Sequence, residues 1–168
     1  MKTHIQEVLQ LTQQHLETLR QELVTDLNSV VRGDYSLYKH HTPNDIYLID
    51  IEIFADGYRP VVYLMDQDET QLGFKPLLAS YPDGVLSGYD YDLDYDSYDL
   101  SDQEIDDFYE KQKDLFINWF IQCWAKVDNS GLTKPVYLMM HDDAESFDLR
   151  RNKWANDDEK WGLAIAKL

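Results

Sequence analysis

Ile46-Tyr47-Leu48-Ile49-Asp50-Ile51-Glu52-Ile53-Phe54 carries the two-residue period of a β-strand. Side chains on an extended chain point to opposite faces in turn. Tyr47, Ile49, Ile51 and Ile53 therefore share one face, and Asp50 and Glu52 fall on the other beyond Leu48. Ala55-Asp56-Gly57 supplies a turn, and Pro60 to Met65 gives a second strand. A third, weaker strand spans Gln71 to Leu78; Gly73 and Pro76 place it at an edge, because proline donates no ladder hydrogen bond. Connections this short predict an antiparallel meander.

Helical periods flank the meander. Ile5, Leu9, Leu16, Leu19, Leu23, Leu27 and Val30 recur every three or four positions, the spacing of one helix face. Thr3 with Gln6 has capping-box spacing, and Arg32 and Gly33 close the helix. A turn-rich stretch from Gly33 to Asn44 leads into the first strand. Ser101 with Glu104 repeats the capping box, and Ile105, Phe108, Tyr109, Phe116, Trp119, Phe120, Cys123 and Val127 form a second apolar helical face over residues 102–128. Asn129-Ser130-Gly131 ends it. Val136 to Met140 reads as a buried strand, with Phe147 to Leu149 or Leu163 to Ile165 as edge strands. The order predicts a single α+β domain over residues 1–168, a mainly antiparallel sheet covered by two long helices.

The chain has 168 residues, 43% hydrophobic, with 32 Asp and Glu against 15 Lys and Arg, a formal charge of −17. Binding a polyanion needs clustered cations, so direct nucleic-acid binding is not expected, nor is docking on anionic membranes. The single cysteine, Cys123, excludes an intramolecular disulfide and a multi-cysteine zinc motif. No apolar run approaches a membrane span of about 20 residues. Met1-Lys2-Thr3-His4 leads into a polar helix rather than a secretory signal, so a cytoplasmic protein is expected.

Phosphate-cradling and nucleophile-elbow motifs are absent: no G-x-G-x-x-G, no G-x-x-x-x-G-K-[ST] and no G-x-S-x-G occurs. Cys123 could serve as a nucleophile with His141, but it shares a helical face with Phe116, Trp119 and Phe120, as a small buried hydrophobe would. His40-His41 sits in a loop where neighbouring side chains diverge. His141-Asp142-Asp143 follows a hydrophobic strand and could form a metal site with Asp148 or Glu145, or simply a strand-end turn. No cofactor is expected.

The segment Tyr89-Asp90-Tyr91-Asp92-Leu93-Asp94-Tyr95-Asp96-Ser97-Tyr98-Asp99-Leu100 is the most unusual. Between Lys75 and Lys111 stand eleven acidic residues and no lysine or arginine. Extended chain would put Tyr89, Tyr91, Leu93 and Tyr95 on one face and Asp90, Asp92, Asp94 and Asp96 on the other, about 6.6–6.8 Å apart. Folding alone does not call for four aspartates that repel one another. A solvated edge that blocks aggregation would account for them. A calcium loop fits less well, since Tyr95 stands where an EF-hand needs glycine and Ser101 where it needs glutamate. A contact surface for a basic protein, formed by Tyr89, Asp90, Tyr91, Asp92, Asp94, Tyr95, Asp96, Tyr98 and Asp99, uses both residue types: tyrosine for area, aspartate for steering.

The Trp119-Phe120-Ile121-Gln122-Cys123-Trp124 helix, the strand into His141-Asp142-Asp143 and the Phe147-Asp148-Leu149 segment before Trp154 resemble the acidic α+β immunity proteins of bacterial polymorphic toxin systems, such as the SMI1/KNR4 superfamily. What this resemblance implies is a non-enzymatic inhibitor that binds and blocks a toxin, often a basic nuclease. Two alternatives stand beside it. One is a DNA-mimic protein, whose spaced carboxylates stand in for phosphates before a DNA-binding protein. The other is a small metal-dependent hydrolase using His141, Asp142 and Asp143.

Overall fold

A computed structural model describes residues 3–33, 40–94 and 97–165; the expected turns at 33–44 fall partly outside them, as do Tyr95 and Asp96. The first helix, α1 (His4–Arg32), opens on the expected capping box: the Thr3 hydroxyl accepts the Gln6 N–H and the Gln6 side chain accepts the Thr3 N–H. Three strands follow, β1 (Leu48–Phe54), β2 (Arg59–Met65) and β3 (Gln71–Pro76). Helix α2 (Asp102–Trp124) starts on the Ser101/Glu104 box and ends four residues short of the expected 128. Strands β4 (Val136–Met140), β5 (Glu145–Asp148) and β6 (Lys153–Asn156) lead into α3 (Asp157–Ile165).

The fold is α+β, and its six-stranded sheet runs β3-β2-β1-β4-β5-β6. The meander β1-β2-β3 is antiparallel, with β3 at an edge. The central pairing departs from the antiparallel expectation: β4 lies parallel to β1, Ile49 opposite Val136 and Ile53 opposite Met140, so the sheet is mixed. A parallel neighbour needs a long crossover, and the segment containing α2 supplies it. Leu163 to Ile165 belongs to α3 rather than to an edge strand. The edge is β6 instead, with Trp154 half exposed.

One inner core gathers Leu16, Leu19, Leu23 and Leu27 of α1, Phe116, Trp119, Phe120 and Cys123 of α2, and Ile49, Ile51, Ile53, Val62, Leu64 and Leu138 of the sheet. Each such aliphatic side chain contributes about 1.5–3 kcal/mol when fully buried. The first turns of α1 depart from the expected stripe: Val8 and Thr12 are buried, while Ile5 and Leu9 only flank a small satellite core of Val8, Leu93 and Phe108. Tyr47 precedes β1 and turns to the opposite sheet face, where it packs with Leu48, Tyr137, Ala155 and Trp161 of α3. On that outer face Asp50 and Lys160, both 4% exposed, form an ion pair at 2.5 Å.

The β1–β2 turn presses against the loop that follows β3. A side-chain carbon on Gly84 would stand 2.2 Å from the Gly57 carbonyl oxygen, and one on Gly57 would stand 2.4 Å from that of Asp83, so both positions require glycine. The Leu86 N–H donates to the Gly57 carbonyl at 2.8 Å. Asp26 of α1 accepts the Leu78 N–H at 2.8 Å. His15 donates from Nε2 to the Val85 carbonyl at 2.9 Å, which fixes its tautomer. Residues 77–88 are thereby held on α1 and on the hairpin, and they deliver the acidic segment to a fixed place.

Candidate functional site

The acidic segment does not begin as the extended strand its alternation suggests. Tyr89–Tyr91 forms a 3-10 turn, and among the described residues of the segment none belongs to the sheet. Four like-charged aspartates make a poor strand edge, whereas the two helices offer specific anchors. Gln112 of α2 donates its amide to the Tyr91 carbonyl at 2.6 Å. The Tyr91 ring stacks on His15 with centroids 4.8 Å apart. Leu93 inserts into the satellite core beside Val8 and Phe108. Further on, the Asp94 N–H donates to Nε2 of His4 at 3.2 Å, and the Tyr98 ring stacks on His4 at 4.1 Å.

This anchoring sorts the residues. Asp90, Asp92, Asp94, Tyr98 and Asp99 are exposed, Tyr91 is half-buried and Leu93 is buried. Tyr89 is fully exposed at 100%. Burial lifts the Tyr91 hydroxyl above the usual tyrosine range, with a further push from the Asp90 charge. Asp92 is held from two sides: its Oδ1 accepts the Tyr109 hydroxyl and the Leu93 N–H, each at 2.8 Å. The even ladder of carboxylates that nucleic-acid mimicry would use is broken at its start by the turn. Among the described residues, no group of three or more His, Cys, Asp or Glu could hold a metal ion, neither the aspartates read as a calcium loop nor the set around His141.

Two clefts border Tyr89. One, of about 780 Å³, runs between the β1–β2 turn and α2 and includes Asp56, Tyr58, Tyr91, Asp92, Tyr109 and Met140. The other, of about 650 Å³, lies against the start of α1 and includes Glu7, Val8, Leu11, Asp90, Leu93 and Asp94. The one lysine at the first cleft, Lys113, is paired with Glu110 at 2.9 Å, so it does not offset the other carboxylates there.

His141-Asp142-Asp143 forms the tight turn between β4 and β5, with Asp142 at φ 70° and the Asp143 N–H donating to the Met140 carbonyl. The His141 ring bonds Glu52 through Nδ1 at 3.0 Å and lies against Phe54. A carboxylate that orients a histidine is an acid–base element, but no hydroxyl or thiol hydrogen-bonds to the ring among the described residues. Asp148, a candidate co-ligand, instead accepts the Arg150 and Arg151 N–H groups in its own turn. Cys123 is buried, its thiol pushed up to about 11 chiefly by desolvation. That is the state of an inert core thiol rather than a nucleophile. His15, Thr12 and Gln112 were not singled out from sequence. Gln112 had a signal: it stands midway between Phe108 and Phe116 on an otherwise apolar face.

No protein-family model, curated protein or solved structure matches this chain. Among the described residues no helix is long and apolar enough to cross a membrane.

Proposed function

We propose that this chain is an acidic, non-enzymatic inhibitor of the immunity type, acting in the cytoplasm, which binds and blocks a basic protein partner such as a nuclease toxin. The contact surface is the segment from Tyr89 to Asp99. The observation that supports this reading is the pairing of a fully exposed Tyr89 with exposed Asp90, Asp92 and Asp94 on a segment pinned to both long helices. A large aromatic left wholly in water contributes nothing to folding, and it is the residue type that interfaces favour. Aspartates held in place steer a cationic partner without a large ordering cost on binding.

Changing Asp90, Asp92, Asp94 and Asp96 together to Asn tests the reading. The substitution keeps size and hydrogen-bonding capacity while removing four mutually repelling charges, so folding is unharmed. A basic partner recovered by pull-down from the native source should bind the variant more weakly, and with a smaller dependence on salt. Unchanged binding of that partner would refute the interface. His141→Ala serves as the contrasting variant: loss of a hydrolytic activity there, with binding intact, would favour the enzyme reading.

A further inference from the structure

Resting on the reading of the Tyr89–Asp99 segment as a partner surface, we propose that Tyr89 is the ridge across which an arginine-bearing segment of the partner lies, with an arginine side chain entering the larger cleft, which Asp92 and Tyr109 line. Tyr89 and Asp92 border both clefts, so a chain crossing the ridge meets both at once. The cleft near α1 is lined by the apolar Val8, Leu11 and Leu93 and, among the described residues, by no lysine or arginine. Leu11 is left 47% exposed there, an unused apolar surface for the partner's aliphatic stems. The larger cleft is lined by Tyr58, Tyr91 and Tyr109 together with Asp92. Its carboxylate is already oriented by the Tyr109 hydroxyl and the Leu93 N–H through Oδ1.

Charge complementarity selects a cation, and the tyrosine walls choose which. A guanidinium is planar, weakly hydrated and able to stack on an aromatic face while bonding a carboxylate edge. An ammonium is compact and strongly hydrated, and it gains less from such walls.

The test uses the full chain with two amidated probes, hexa-arginine and hexa-lysine, titrated by calorimetry at equal ionic strength. The wild type should bind hexa-arginine more tightly than hexa-lysine. Tyr89→Ala, a change at a fully exposed position, should weaken hexa-arginine binding roughly three- to fivefold, the size of one exposed cation–π contact, and leave hexa-lysine nearly unchanged. Tyr89→Trp should keep the preference. Equal affinities in the wild type, or equal losses for both probes in Tyr89→Ala, would overturn the arginine assignment while leaving the acidic surface standing. Failure of both probes to bind would overturn both the arginine assignment and the acidic surface.

Discussion

The Gln112 side-chain amide of α2 donates to the backbone carbonyl of Tyr91 at 2.6 Å, a partly buried polar contact between the core helix and the most acidic part of the chain. The same nitrogen lies 3.3 Å from the Thr12 hydroxyl of α1, so three segments meet at one group. Replacing Gln112 with Leu keeps the bulk but leaves the Tyr91 carbonyl and the buried Thr12 hydroxyl short of a donor. The expected cost is about 1–3 kcal/mol in a urea titration. A change indistinguishable from zero would show that the contact fixes nothing.

Lys160→Met should be the most damaging single change on the outer sheet face. It leaves the Asp50 carboxylate buried without its cation, at a cost of about 3–5 kcal/mol. Burial already raises the Asp50 carboxyl above the usual range against the opposing pull of Lys160, and its Oδ1 has no hydrogen-bond partner among the described residues. Without Lys160 the carboxyl rises further, so the variant should regain stability as the pH is lowered and Asp50 takes up a proton. The double change Asp50→Leu with Lys160→Met should recover most of the loss. Denaturant titrations at acid and neutral pH check all three outcomes.

Cys123 gives a prediction at alkaline pH. Its folded-state pKa of about 11 lies above the unfolded value, so the folded chain holds this proton more tightly. That contribution is complete below about pH 8.5 and is lost as the pH rises through the folded value. Wild type should therefore lose stability more steeply than Cys123→Ala over this range. At neutral pH the thiol should react with a labelling reagent far more slowly in native buffer than in denaturant. Equal rates would mean that the thiol is reachable in the folded protein.

Trp119→Ala probes the inner core. Trp119 is 4% exposed and meets Phe116 edge-on at 5.4 Å, so truncation should cost about 3–5 kcal/mol. A urea titration giving less than about 1 kcal/mol would mean that the cavity collapses almost completely.

Local signals in the sequence translated well into structure, and long-range ones did not. Thr3 with Gln6 and Ser101 with Glu104 start helices because a capping box is satisfied within four residues. Asn156 with Glu159 makes the same reciprocal contacts at the start of α3, a spacing as local as the other two. The pairing of β1 with β4 joins residues far apart in the chain, and no local pattern encodes it. In the acidic segment the two-residue alternation is real, and Leu93 does turn inward while Asp92 and Asp94 turn outward. A strand also needs a hydrogen-bonding neighbour, and here α2 offers side chains instead: the Gln112 amide takes the Tyr91 carbonyl and the Tyr109 hydroxyl takes the Asp92 carboxylate.

The parallel pairing at the centre of the sheet has a consequence for synthesis. β1 is bonded on one side by β2, which follows it at once, and on the other by residues 136–140. After β2 is complete, residues 66–140 take roughly 4–15 s to be made at about 5–20 residues per second. Throughout that interval the emerging chain carries a hairpin whose innermost strand presents a bare row of amides and carbonyls. α1, already made, can cover the isoleucine face of that strand but not its open side. A chain arrested short of Val136 would keep this row exposed, a template for pairing with other nascent copies.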